Sequence, residues 1–294
     1  MANRIDDEIR RNRTEHSPTM SLAHEKAEEV LKNTEYSIQE TEFISVYGQE
    51  NVAADVDCAD RLEKKFENRQ TPEEKKSKET ADILEAIVLM QSELNEWLGN
   101  ARTLKTSRYD DYINKVDMIA EWSTPEEGSR VLAMAVDVTF GTKKIQKKLE
   151  AIKNEIDSGK LGSVKYFKDE RGDFVGTRNN IPRTVIGVSQ KMVEELADLW
   201  VNKKNKELSR HPIQYLFIEE IEKQLDAMQD YADEKGNSDA VYAYKQALAI
   251  VRPLLSEKRK FKSEELEMDS VAREIDFYTK ETFRLEDKKQ MRAA

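Results

Sequence analysis

A strongly helical stretch followed by three short apolar runs constrains the fold of this chain more than any other feature. Apolar residues recur at helical spacing from Thr80 to Leu98. Runs typical of strands then follow at 102–106, 116–122 and 131–140, and the break between the last two contains Pro and Gly. The order helix, strand, strand, strand predicts a helix packed on a sheet.

The same alternation continues to about residue 210. An amphipathic helix is predicted at 143–157 and another at 190–203, with strands at 164–167 and 184–188 between them. We therefore expect an α/β domain over 79–210, built on a mixed β-sheet flanked by helices.

The two flanks differ from this middle part. Residues 1–78 are polar, and we expect them to be partly helical or disordered, with a domain boundary near 72–79. Residues 211–294 show only helical patterns, so they are predicted to form an all-helical C-terminal extension. Charged residues make up 36% of the chain, against a usual value of about 25%, which fits long solvated helices.

Cysteine content and hydropathy indicate the compartment. Cys58 is the only cysteine, so no intramolecular disulfide can form. The sequence has no signal-peptide-like start and no apolar stretch of about 18 residues. We expect a cytoplasmic protein that does not enter a membrane.

The net charge of −10 conceals a segregation of charge. Acidic residues are in excess over 79–140, and basic residues are in excess over 141–210. Such a domain could offer an acidic pocket beside a basic flank, and phosphate contacts are usually made by Lys and Arg. The alternative is that the basic excess reflects only solvated helix faces.

Three carboxylates stand beside apolar residues, where burying a charged group is energetically unfavourable. Asp117 opens one apolar strand, Asp137 interrupts another, and Glu85 lies on a partly apolar helix face. A divalent metal would offset that cost, because Mg²⁺ is held by one or two carboxylates together with water and phosphate. The alternatives are a strand-end Asp137 bonded to the backbone and a solvated Glu85.

The order of these three residues resembles the PD-(D/E)XK (restriction-endonuclease-like) nucleases over about 79–206. The resemblance implies that Glu85, Asp117 and Asp137 bind Mg²⁺ or Mn²⁺, and that Asp117 and Asp137 are catalytic. The family also places a lysine two residues after the last acidic residue. This chain has Thr139 at that position.

A lysine from another element could supply the missing ammonium, and the alternative is a degenerate site. The candidates are Lys115, Lys143, Lys144 and Lys165, and Lys165 is preferred because it lies on a predicted strand. Asp111 could add an accessory carboxylate, although an Asp-rich turn explains it equally well.

Basic residues near the predicted site could contact nucleic acid. Arg178, Arg183 and Lys191 are the candidates for phosphate contacts, and ordinary exposed basic residues are the alternative. DNA is the expected partner, and RNA the second.

Two functions follow. The first is a metal-dependent nuclease or nuclease-like protein that hydrolyses the phosphodiester bonds of DNA. The second is a non-catalytic scaffold that binds protein partners through its acidic C-terminal helices. An ammonium in contact with the carboxylates would favour the first.

Overall fold

A computed structural model describes residues 17–122, 132–139, 142–264, 266 and 269–284, with the backbone alone for 132–139, 142 and 143. The helices of the first half are Pro18–Lys32 (α1), Ile44–Tyr47 (α2), Gln49–Glu67 (α3) and Pro72–Asn95 (α4). Those of the second half are Thr142–Asp157 (α5), Gln190–Val201 (α6), Asn205–Leu208 (α7), Ile213–Glu234 (α8), Ser238–Lys258 (α9) and Ser270–Thr282 (α10).

The strands form two sheets. They are Arg102–Lys105 (β1), Met118–Trp122 (β2), Leu132–Thr139 (β3), Gly162–Lys168 (β4), Val175–Ile181 (β5) and Arg183–Gly187 (β6). The larger sheet has the order β1-β2-β3-β6, and β4 pairs with β5 separately. Its first two pairings are antiparallel, whereas β3 and β6 run parallel across the connection that contains α5. The chain is a mixed α/β protein, mostly helical.

The helix that was expected to begin at Thr80 begins eight residues earlier, at Pro72. Thr71 and Glu74 form a capping box: Glu74 N donates to Thr71 Oγ1 at 3.2 Å, and Thr71 N donates to Glu74 Oε2 at 2.9 Å. Pro72 follows the cap, where its missing N–H costs nothing. The predicted boundary near 72–79 therefore lies inside a continuous helix.

A hairpin replaces the loop that was expected between 167 and 184. Strand β5 pairs antiparallel with β4, and Asp169 N donates to Phe174 O at 3.1 Å across the turn. The sequence of β5 is polar and mostly exposed, so it lacks the apolar alternation that predicts a strand. The other five strands correspond to predicted runs.

Helices from both flanks share the core with the middle of the chain. Ala27 of α1, Ile87 of α4, Leu225 of α8 and Leu248 of α9 belong to one buried cluster. The acidic flanks thus contribute apolar faces to the core while their charged faces remain outside.

Helix α8 covers the edge of the larger sheet at β6. Val185 N donates to Gln224 Oε1 at 2.8 Å, and Gln224 Nε2 donates to Val185 O at 2.6 Å. Gly187 N donates to Glu220 Oε2 at 3.3 Å. These contacts satisfy backbone groups that an edge strand would otherwise leave unpaired.

The last helix, α10, begins at Ser270, where the Asp269 carboxylate caps it by accepting from Val271 N and Ala272 N. Within the described part of the chain, none of the helices has the length and apolar character that a membrane span needs.

Candidate functional site

A groove runs between α4, α5 and the segment that joins β1 to β2. It consists of two adjoining lobes of about 490 and 510 Å³. Glu85, Asp111 and Asp117 line it together with Lys144 and Lys148. Three of the acidic residues singled out in the sequence are thus brought to one surface.

The Glu85 and Asp111 carboxylates of this groove share a lysine that the sequence did not single out. The Lys105 ammonium donates to Glu85 Oε2 at 2.8 Å and lies 3.6 Å from Asp111 Oδ2. Glu85 comes from α4 and Lys105 from the end of β1, so the ion pair joins helix to sheet. Both side chains are largely buried.

The charges of the groove are strongly coupled. Burial raises the pKa of Glu85 to about 8; Lys105 opposes the shift, and the nearby Asp117 adds to it. Burial likewise raises the pKa of Asp111 to about 6, again with Lys105 opposing and Asp117 adding to the shift. Burial lowers the pKa of Lys105, but Glu85 and Asp111 outweigh it and hold that pKa well above its usual value. The carboxylates therefore exceed the positive charge that Lys105 supplies.

Asp117 lies at the start of β2, and its Oδ2 is 3.6 Å from Lys148 Nζ on α5. The strand register places Met118 opposite Val136, so the neighbouring Asp117 and Asp137 come to the same end of the sheet. For Asp137 this backbone position is what the structure describes.

The segment that carries Asp111 is a π-helical turn, Asp110–Asn114, an element that often occurs at functional sites. Asp110 is fully buried and fixes this turn. Its carboxylate accepts from Ser107 Oγ at 2.7 Å, Asn114 Nδ2 at 2.6 Å, Lys165 N at 2.7 Å and Tyr166 N at 3.1 Å. The Asp110-Asp111 pair therefore divides into a buried anchor and a groove carboxylate.

The N-terminal region supports the same turn from outside. Glu40 Oε1 accepts from Tyr109 N at 2.9 Å. Arg108 Nη1 lies 2.6 Å from Asp60 Oδ1 and 3.3 Å from Glu63 Oε2. Residues that were assigned to a polar flank thus position the groove.

Lys165, the preferred catalytic lysine, has a different environment. Its ammonium pairs with Asp55 and lies 5.0–5.5 Å from the ring centres of Tyr47, Tyr109 and Tyr166. This arrangement is an internal cation–π cage. The ammonium that contacts the groove carboxylates comes from Lys105 instead.

The predicted phosphate-binding residues are dispersed. Arg183 is 4% exposed, and its guanidinium donates to Glu155 Oε1 at 2.5 Å and to Lys115 O at 2.9 Å. It lines one lobe of the groove and fixes Lys115. Arg178 lies over the Phe174 ring on the β4–β5 hairpin, and Lys191 lines a separate pocket beside His211.

The basic flank expected from the charge segregation does line the groove. Lys144, Lys147 and Lys148 extend from α5, and Lys115 ends the π-helical turn. Lys144 and Lys115 were singled out in the sequence, whereas Lys148 was not. The helical spacing of the α5 lysines is the signal that could have placed Lys144, Lys147 and Lys148 on adjoining faces.

No family model, no curated protein and no solved structure matches this chain. Among the side chains that the structure describes, which exclude that of Asp137, no three His, Cys, Asp or Glu residues form a group suited to a metal ion.

Proposed function

We propose that this groove hydrolyses phosphodiester bonds of DNA and that it requires Mg²⁺ or Mn²⁺. The observation that carries the proposal is the Lys105 ammonium, which lies 2.8 Å from Glu85 and 3.6 Å from Asp111. These two carboxylates line a groove flanked by lysines. An ammonium beside carboxylates is the feature that separates a catalytic site from a degenerate one.

The charge of the donor set fits a divalent cation. Burial is the main cause of the raised pKa values of Glu85 and Asp111, and a bound cation would favour the charged forms of both carboxyls. Asp117 and Asp137 would hold the ion, with Glu85 as a third ligand. A divalent ion bound there polarises the phosphodiester and lowers the pKa of a bound water.

The protein's own residues account for the remaining requirements. Asp111, with a pKa of about 6, can accept a proton from the attacking water near neutral pH. Lys105 keeps its proton, because its pKa is well above the usual value, and stabilises negative charge as it develops. The α5 lysines attract the phosphate backbone.

The order of elements supports a restriction-endonuclease-like fold. A helix with Glu85 precedes the antiparallel β1-β2-β3 meander, and α5 then leads to β6, which is parallel to β3. Thr139 occupies the position of the family's lysine and carries no charge. We assign its role to Lys105 on β1, in place of Lys165.

The scaffold alternative predicts no ammonium at the carboxylates, so the Lys105 contacts favour the catalytic alternative. The test is cleavage of labelled plasmid and oligonucleotide DNA by the full chain with Mg²⁺, Mn²⁺ or EDTA. We expect cleavage that depends on the metal, and a loss of about 100-fold or more in Asp117→Asn. Asp173→Asn, in the exposed β4–β5 turn, is the matched control and should cleave like the parent.

An absence of cleavage under every metal condition, together with no rise in the parent's melting temperature on adding Mg²⁺ or Mn²⁺, would overturn the proposal.

A further inference from the structure

An exposed aromatic pair lies at the mouth of the groove. Phe66, in the last turn of α3, stacks on Tyr112 with ring centres 5.9 Å apart and an interplanar angle of 12°. Phe66 is nevertheless 47% exposed, although burial of such a ring would be favourable. Tyr112 follows the groove carboxylate Asp111 directly in the π-helical turn.

The surroundings hold both rings in place. The Tyr112 hydroxyl donates to Glu63 Oε1 at 3.5 Å, and Lys115 Nζ donates to Tyr112 O at 2.6 Å. The same ammonium lies 5.8 Å from the centre of the Phe66 ring. The pair is thus a fixed flat apolar surface with a cation beside it.

Positive charge surrounds this surface. Phe66 and Tyr112 line both lobes of the groove. The basic residues that line the same lobes, besides the buried Arg183, are Arg69, Lys78, Lys115, Lys144, Lys147 and Lys148. An apolar ligand would not need these cations, and a free phosphate would not need the rings. A nucleotide strand uses both.

We propose that the Phe66–Tyr112 pair stacks an unpaired base, so that the substrate of the groove is single-stranded DNA or an unpaired strand end. The assignment of a substrate rests on the proposed function, whereas the stacking site does not. In a duplex both faces of each internal base are already stacked, so an aromatic surface of this kind can take up only a base that has left the duplex. The neighbouring phosphate then enters the lobes that Asp111 and Lys148 line.

The test measures binding of the full chain, by fluorescence anisotropy in EDTA, to labelled oligothymidylate of about 16 nucleotides. The same measurement is made with a duplex of equal length. Phe66→Leu keeps apolar volume and removes the aromatic face, whereas Phe66→Trp keeps the face. Phe277→Leu is the matched control, because Phe277 is 56% exposed on α10 and does not line the groove.

We expect the parent to prefer the single strand, and Phe66→Leu to weaken single-strand binding about 5-fold or more while duplex binding is unchanged. Phe66→Trp should bind like the parent, and so should Phe277→Leu. Melting temperatures of all variants show whether a loss of binding reflects unfolding. If Phe66→Leu is unfolded, the test rests on Phe66→Trp. A folded Phe66→Trp that binds the single strand like the parent supports the stacking site.

Equal binding of single strand by the parent and a folded Phe66→Leu would overturn the stacking site. If that occurs in a chain that still cleaves DNA with Mg²⁺, the proposed function survives. Phe66-dependent binding in a chain that never cleaves would support the stacking site and overturn the nuclease proposal.

Discussion

The Lys105 ammonium donates to Glu85 Oε2 at 2.8 Å, and this contact joins β1 to α4 inside the groove. Both side chains are largely buried, at 17% and 8% exposure. Removing one member of such a pair leaves a buried charge uncompensated, whereas removing both avoids that cost.

Lys105→Met should therefore destabilise the protein by up to about 3–5 kcal/mol at pH 9, above the Glu85 pKa of about 8, where the carboxyl of the parent is charged. The loss should be smaller at low pH, because the pKa of Glu85 is already raised to about 8 and its carboxyl can take up a proton when Lys105 is gone. The double variant Lys105→Met/Glu85→Gln should regain part of the stability. Urea unfolding at pH 5 and pH 9 measures both effects, and strictly additive losses would contradict the buried pair.

Asp137→Asn should separate stability from activity. The register places Asp137 next to Asp117 at one end of the sheet, so the substitution should lower the repulsion between two negative charges and remove a proposed metal ligand. We expect an equal or higher melting temperature in metal-free buffer, no Mg²⁺-dependent cleavage, and no stabilisation by added metal. Asp173→Asn should change none of these. Unfolding of Asp137→Asn would identify Asp137 as a structural residue.

Glu220 should make stability depend on pH. Burial raises the pKa of its carboxyl well above the usual value, and among the described residues Oε1 has no hydrogen-bond partner. A carboxyl whose pKa is raised by folding stabilises the protein below its unfolded pKa of about 4.3 and loses that contribution as pH rises towards the folded pKa. Glu220→Gln should therefore melt above the parent at pH 8 and close to it at pH 4.5.

Asp230→Asn, at an exposed position on the same helix, is the control for Glu220. Its melting temperature should follow the parent's across the pH range. A parallel pH dependence in parent and Glu220→Gln would show that Glu220 is not the group responsible.

Local pattern predicted much of the fold. Five of the six strands and the long helices have apolar spacing that marks them, but β5 does not, since only Gly176 and Ile181 of that strand are buried. The early start of α4 depends on the Thr71–Glu74 capping box. The charged residues after Pro72 form the exposed first turns of this helix, and their composition resembles that of a linker.

Three carboxylates singled out in the sequence, Glu85, Asp111 and Asp117, line the same groove. Lys105 was missed, since a lysine at the last residue of a strand usually faces water, whereas here its ammonium contacts Glu85 of α4 and Asp111 of the π-helical turn. The support from the N-terminal region could not be predicted from local sequence. Arg108 and Asp60 are 48 residues apart, and no periodicity relates them.

Asp110 supplies the last prediction, since it holds the turn that presents Asp111. Asp110→Ala would leave the buried donors Ser107 Oγ, Lys165 N and Tyr166 N without an acceptor. We expect the free energy of unfolding, measured in urea, to fall by about 3 kcal/mol or more. DNA cleavage should also fall, because the turn that presents Asp111 would be displaced. Asp111→Asn, one residue away, removes a negative charge that burial and the nearby Asp117 disfavour. Unlike Asp110→Ala, it leaves no buried donor without an acceptor.

Asp111→Asn should therefore keep or raise the parent's stability and still lose cleavage, because Asp111 is the proposed proton acceptor. The two adjacent aspartates are thus expected to give opposite stability changes and the same loss of activity. If Asp110→Ala unfolds at the parent's urea concentration, the carboxylate is not the anchor of the π-helical turn. If Asp111→Asn cleaves at the parent's rate, the proton is taken up elsewhere in the groove.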